Sequence, residues 1–174
     1  WVSEQEPYLP RQSGVGQLLL AAESGGLLQI NTHNQLVKAG GGGAARLFGF
    51  YGISQRYSFL TGFGFGGGAF VNPETPEEDV DIRFFFSAPV ILRIHHGAWH
   101  GDIESGLVTA LSANDHTPVP GWRVGGMIGF SPLRVRKFLP WGGFTFSLEQ
   151  YPNSLEHQGY FFKIGFRAGA LLMD

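Results

Sequence analysis

Long runs of strict apolar–polar alternation constrain this chain more than any other feature of its sequence. The clearest run extends from Val80 to Ile94, where every second residue is apolar and the residues between them include Asp81, Arg83 and Arg93. Successive residues of a β-strand point to opposite sides, so one face of this segment meets an apolar environment and the other a polar one. The sequence therefore predicts a β-strand much longer than the usual length of about 5–6 residues.

The same period of two recurs along the chain and predicts about eight strands. The predicted strands are Val15–Ile30, Leu36–Tyr51, Arg56–Val71, Val80–Ile94, Trp99–Ala113, Trp122–Phe130, Trp141–Tyr151 and Gly159–Met173. We expect an all-β fold, a single closed antiparallel up-and-down transmembrane β-barrel over residues 15–174, after an irregular N-terminal tail over residues 1–14.

The connections between the predicted strands differ in length at the two ends of the barrel. Tight connections are expected at Ile53–Gln55 and His96–Gly97, and longer, polar ones at Asn72–Asp79, Asn114–Gly121 and Pro152–Gln158. Short turns on one side and longer loops on the other are typical of a transmembrane barrel. The connection Ser131–Pro140 is longer than this scheme expects.

Composition and side-chain size place the apolar faces on the outside of the barrel. The chain has 16 phenylalanines and 27 glycines, and its charged residues amount to 15%, against roughly 25% in an average soluble domain. The interior of an eight-stranded barrel is just wide enough for its own side chains, so the rings are expected to meet lipid. No stretch of about 20 apolar residues predicts a membrane-spanning helix. The net charge of −2 gives no reason to expect nucleic acid, and the absence of cysteine excludes a disulfide framework.

Aromatic residues near the strand ends favour the same orientation. Two belts at the lipid headgroups are expected, with Tyr51, Tyr57, Trp99 and Trp141 at the short-turn rim and Trp122, Tyr151 and Tyr160 at the other. The pattern over Val15–Met173 resembles the family of small eight-stranded outer-membrane proteins, without a family-specific motif. The resemblance implies the outer membrane of a Gram-negative bacterium, membrane lipids and lipopolysaccharide as partners, and no cofactor. The chain departs from the family in ending on Met173 and Asp174, where an aromatic residue is usual.

Charged residues on the opposite faces are expected to line the interior. The set comprises Glu23, Lys38, Arg46, Asp81, Arg83, Arg93, Asp102, Glu104, Arg123, Glu149, Lys163 and Arg167, and its two signs nearly balance. Because buried charges must be paired, we predict a closed lumen crossed by salt bridges. The predicted charge network is Arg83, Arg93, Asp81, Asp102, Glu104, Glu149, Lys163 and Arg167. The alternative is a narrow polar pore or a small-ligand site.

The turn after His95 leaves two registers open. A two-residue turn at His96 and Gly97 pairs His95 with Ala98, and a four-residue loop pairs His95 with His100. Both registers place Arg93 within reach of Asp102, diagonally or directly opposite.

An enzyme is the main alternative to a barrel with a structural, ligand-binding or lipid-binding role. Some members of the resembling family are lipid A acyl hydrolases, and Ser112 with His116 and Asp115 could form such a lipid A or phospholipid acyl hydrolase site. The closely spaced His–x–Ser of that family is absent, so the non-enzymatic role is favoured. The second alternative is a soluble lipocalin-like barrel that binds a ligand inside.

Two further features could bind a ligand. His95, His96 and His100 cluster around a turn and could hold a transition metal, although no carboxylate or thiol completes a recognised spacing. The long loops, including the acidic segment 72–79, could bind a small ligand or a protein partner.

Overall fold

The computed structural model describes residues 16–31, 37–54, 56–71, 80–113, 117–131, 138–152 and 159–172. These residues form eight strands: β1 (Gly16–Asn31), β2 (Val37–Gly52), β3 (Tyr57–Val71), β4 (Val80–His96), β5 (Trp99–Ser112), β6 (Pro118–Phe130), β7 (Phe138–Gln150) and β8 (Gly159–Leu172). Within these ranges there is no helix long and apolar enough to cross a membrane.

The strands close into one antiparallel barrel. Each strand pairs with its neighbour in sequence, and β1 pairs with β8, which confirms the predicted all-β, up-and-down architecture. Followed from strand to strand, the pairing that starts at Leu18 returns to β1 at Leu28. This stagger is what tilted strands need in order to close a barrel.

Two strands begin earlier than predicted, and both extra segments contain proline. β6 begins at Pro118 rather than at Trp122, and β7 begins at Phe138 rather than at Trp141. Proline has no N–H to donate and is disfavoured inside a sheet, so the sequence predicts a later start for both strands than the structure has. The connection after Ser131 is correspondingly shorter than predicted.

The turn between β4 and β5 selects one of the two predicted registers. The turn is two residues long and begins at Gly97, one residue later than predicted. Gly97 has a φ of 61°, which glycine adopts without steric cost. His95 pairs with His100, and Arg93 consequently lies directly opposite Asp102.

Every strand carries apolar side chains on its outward face. Phe84 and Phe86 are 40% and 49% exposed, whereas Phe85 between them is buried. The exposed set includes Leu18 and Leu20 on β1, Tyr51 on β2, Phe63 and Phe65 on β3, Leu107 on β5, Ile128 on β6, Phe144 and Phe146 on β7, and Ile164 on β8. Soluble monomers rarely expose contiguous apolar patches larger than a few hundred Å², so this exterior is unlike that of a soluble protein.

The interior contains two apolar clusters. The turn-side cluster consists of Leu19, Ala21, Phe48, Phe50, Leu60, Ile91, Met127, Trp141 and Leu171. The loop-side cluster consists of Leu27, Phe70, Phe85, Val108, Ala110, Tyr151 and Phe161. The first lies toward the rim with the turns at 53–56 and 97–98, and the second toward the rim with the connections 72–79 and 151–158. Together they fill the narrow width that an eight-stranded barrel leaves to its own side chains.

Two aromatic residues predicted for the lipid belts lie inside the barrel, so that prediction is wrong for them. Trp141 is 4% exposed within the turn-side cluster, and Tyr151 is fully buried within the loop-side cluster. Both share the inward parity of Glu149, so alternation along β7 rather than closeness to a rim decides where they point. The rim aromatics that do face outward are Tyr51, Tyr57 and Trp99 on the turn side and Trp122 on the loop side, where Tyr160 is half-buried.

Candidate functional site

Five charged side chains from five strands meet between the two apolar clusters. This central cluster consists of Glu23 on β1, Arg46 on β2, Glu104 on β5, Arg123 on β6 and Arg167 on β8. Four of the five are buried, and Glu23 is nearly so. Because the contributing strands are spread around the barrel, the cluster spans the lumen instead of following one pair of strands.

Within the central cluster, each guanidinium contacts both carboxylates. The N–O distances from Glu104 to Arg46, Arg123 and Arg167 are 2.9, 3.0 and 2.8 Å. The corresponding distances from Glu23 are 3.0, 3.6 and 2.9 Å. An arginine side chain stays protonated in proteins, so three positive charges share two carboxylates.

Glu149 extends the central cluster toward the loop side. Its Oε1 lies 2.8 Å from Lys163 Nζ and 3.4 Å from Arg123 Nη1, and its Oε2 accepts a hydrogen bond of 2.7 Å from the Tyr151 hydroxyl. Lys163 Nζ also lies 3.8 Å from the centre of the Phe85 ring, a favourable cation–π position. The Glu149 carboxylate thus has a partner for each of its oxygens in a fully buried position.

Arg93 and Asp102 form a separate pair on the turn side. Arg93 Nε and Nη2 donate hydrogen bonds of 2.7 and 2.8 Å to the two oxygens of Asp102. The guanidinium lies 4.6 Å from the centre of the Trp141 ring. Bidentate geometry of this kind is the strongest form of a carboxylate–arginine contact.

A third group of charges lies near the loop rim. Asp81 pairs with Arg83 on its own strand and, at 3.4 Å, with Lys38 on β2, two strands away. The Arg83 guanidinium lies over the rings of Phe70 and Phe161, at 5.3 and 5.2 Å from their centres. All eight residues of the predicted charge network therefore lie on the inner face, in three groups at different depths.

The three candidate metal-binding histidines do not converge. His95 and His100 point inward with ring centres 6.3 Å apart, whereas His96 lies on the outer face. His95 Nε2 lies 3.0 Å from the hydroxyl of Ser58, a serine–histidine pair that the sequence analysis did not anticipate. Ser58 is fully buried, so this hydroxyl is closed to a substrate. Among the described residues there is no group of three or more side chains placed to hold a metal ion.

The candidate hydrolase residues are only partly within the described ranges. Ser112 is the last residue of β5, on the inward parity and opposite Arg83. Asp115 and His116 lie outside the described residues, as do the acidic segment 72–79 and the tail 1–14.

A cavity of about 40 Å³ lies beside the central cluster. Its charged wall is formed by Glu23, Arg46, Arg123, Glu149 and Lys163, and much of the rest is glycine backbone: Gly25, Gly42, Gly64, Gly66 and Gly165. Pockets for drug-sized ligands measure roughly 300–1,000 Å³, so this cavity is too small for a lipocalin-type ligand. It has room for a few waters or a small ion.

No protein-family model matches the chain, and no curated protein matches it. A solved structure described as "De novo design of transmembrane beta-barrels" matches over 91% of this chain and 98% of its own, with 12% sequence identity and a TM-score of 0.36. Similarity at this level identifies neither a family nor a function, so the function has to be inferred from the arrangement of the side chains.

Proposed function

We propose that this protein is an integral β-barrel of the bacterial outer membrane, with a closed, charge-paired lumen and a structural or lipid-binding rather than enzymatic role. The observation that carries this proposal is the inverted distribution of side chains. Every strand exposes apolar residues on its outer face, and the buried charges lie inside, between two apolar clusters. A lipid bilayer would cover that apolar band with acyl chains, whereas in water the band would stay exposed, which is unfavourable.

Closure of the sheet supports the same proposal. A barrel whose first and last strands pair has no free edge, so the backbone N–H and C=O groups of every strand can be hydrogen-bonded within the sheet, without water. Two of the three connections at one rim, 53–56 and 97–98, are tight turns of the kind that outer-membrane barrels have at one side. In that setting the surrounding partners are membrane lipids and lipopolysaccharide.

Tryptophan fluorescence in brominated lipid tests the membrane orientation directly. Trp99 is 56% exposed on the outer face, and Trp122 is 38% exposed near the other rim, while Trp141 is inside. Three variants that each keep one of these residues, with Trp1 and the other two replaced by phenylalanine, are reconstituted in bilayers with brominated acyl chains. Bromine quenches indole on contact, so we expect strong quenching for Trp99 and Trp122 and little for Trp141.

The Trp141-only variant is the matched control, because its indole has the same chemistry behind the barrel wall. Equal quenching of all three would contradict the inside–outside assignment. A purified protein that remains monomeric without detergent, with no quenching of Trp99, would overturn the membrane proposal itself.

Planar-bilayer recordings test whether the lumen is closed. The central cluster lies between two apolar clusters, and the cavity beside it measures only about 40 Å³. We expect no stable single-channel current from the reconstituted protein. Large, stable currents would show that the lumen is a pore, the alternative to a structural barrel.

A further inference from the structure

We propose that the cavity beside the central cluster binds a small inorganic anion, with chloride as its natural occupant. The proposal goes beyond the membrane role, because it depends on the closed interior and not on what surrounds the barrel. It would hold for the same interior in any solvent.

The charges around the cavity do not cancel. Arg46, Arg123 and Arg167 contact Glu23 and Glu104, and Arg123 also contacts the Glu149 carboxylate that pairs with Lys163, so four cationic groups share three carboxylates. One positive charge is therefore in excess. A buried net charge is costly in a water-poor interior, and an anion among the guanidiniums would neutralise it.

The other lumen charges are too far along the barrel to compensate. Asp102 is committed to Arg93 by two hydrogen bonds on the turn side. Asp81 lies near the loop rim, where it pairs with Arg83 and Lys38. The unbalanced charge is therefore local to the middle of the lumen, where the cavity lies.

The cavity has the size and the donor for a halide. A single water needs roughly 10–15 Å³, so about 40 Å³ admits one monatomic anion with one or two waters. Arg46 lines the cavity, is 3% exposed, and its Nε has no hydrogen-bond partner in the protein. The two carboxylates on the wall, Glu23 and Glu149, each contact a guanidinium or ammonium group, so their negative charge is already compensated.

Anomalous diffraction with bromide tests the proposal. Crystals of the full chain, purified throughout in bromide instead of chloride, are measured at the bromine absorption edge. We expect one buried anomalous peak in the cavity, within hydrogen-bond distance of the Arg46 guanidinium. Preparation in chloride should remove the peak.

Two matched variants test whether the positive charge at the cavity wall is required. Lys163→Met removes the excess positive charge, while Glu149 keeps Arg123 and Tyr151, so we expect the bromide peak to be lost. Lys38→Met makes the same change near the loop rim, outside the cavity wall, so the peak should remain.

Several results would overturn the proposal. These are an empty or water-filled cavity in the wild-type crystals, bromide at surface positions only, a peak that survives Lys163→Met, or a peak that disappears in Lys38→Met. The wild-type comparison of bromide with chloride decides the question even if Lys163→Met fails to fold. Failure here leaves the tryptophan quenching result unchanged, so the two proposals fall separately.

Discussion

The lumen solves the problem of buried charge in two different ways. On the turn side, Arg93 and Asp102 satisfy one another in a one-to-one bidentate pair. In the middle, the central cluster distributes three guanidiniums over two carboxylates, and each group depends on several others. A one-to-one ion pair can be replaced as a whole by apolar side chains, whereas no two members of the shared cluster can be replaced without leaving a third group unpaired.

Loss of the Glu104 carboxylate should be the most damaging change in the lumen. Glu104→Ala deprives three guanidiniums of a partner, and we expect a loss of about 5 kcal/mol, at the upper end for a broken buried ion pair. Urea unfolding of the protein in lipid vesicles measures the change. Adding Arg46→Leu should restore little, because Arg123 and Arg167 still face the missing carboxylate. Full recovery in that double variant would mean that the central cluster is a set of independent pairs.

The isolated pair should behave in the opposite way. Asp102→Ala should cost about 3 kcal/mol, at the lower end of the same range, because Arg93 keeps its contact with Trp141. Adding Arg93→Leu should recover most of the loss, since replacement of a whole buried pair by apolar side chains is often neutral. A double-mutant cycle on thermal or urea unfolding measures the coupling. Absence of coupling would contradict the direct pairing of these two residues.

The smallest effect should come from a carboxylate that keeps its charged partners. Tyr151→Phe removes one hydrogen bond to Glu149, which retains Lys163 and Arg123, and we expect a loss of about 1.5 kcal/mol. Tyr57→Phe, at an exposed tyrosine on the outer face, serves as the control and should change the free energy of unfolding very little. If Tyr151→Phe cost as much as Asp102→Ala, the hydroxyl would be the main support of Glu149.

Strand facing and neighbouring pairs could be predicted from the sequence because both are local. Alternation from Val80 onward determines which residues point outward, and a tight turn brings Arg93 next to Asp102 whatever its register. The same rule would have placed Trp141 inside, since it shares parity with Glu149. That error came from giving position near a rim more weight than parity.

Contacts across the lumen could not be predicted in this way. Arg46 on β2 and Glu104 on β5 belong to no common ladder, and their contact depends on the tilt and stagger of all the strands between them. No spacing in the sequence encodes that relation. The proline-containing starts of β6 and β7 were missed for a different reason, because local propensity there opposes the pairing that the closed sheet imposes.

The salt bridge between Glu23 and Arg167 also bears on how fast the barrel forms and opens. These residues are 144 apart in the chain, and they lie opposite one another where β1 meets β8. Contacts between such distant segments can form only after the last strand has joined the sheet. Interactions that are absent from the transition state act mainly on the rate of unfolding. Because this salt bridge forms last, we expect it to act mainly on the rate of unfolding and to prolong the lifetime of the closed barrel.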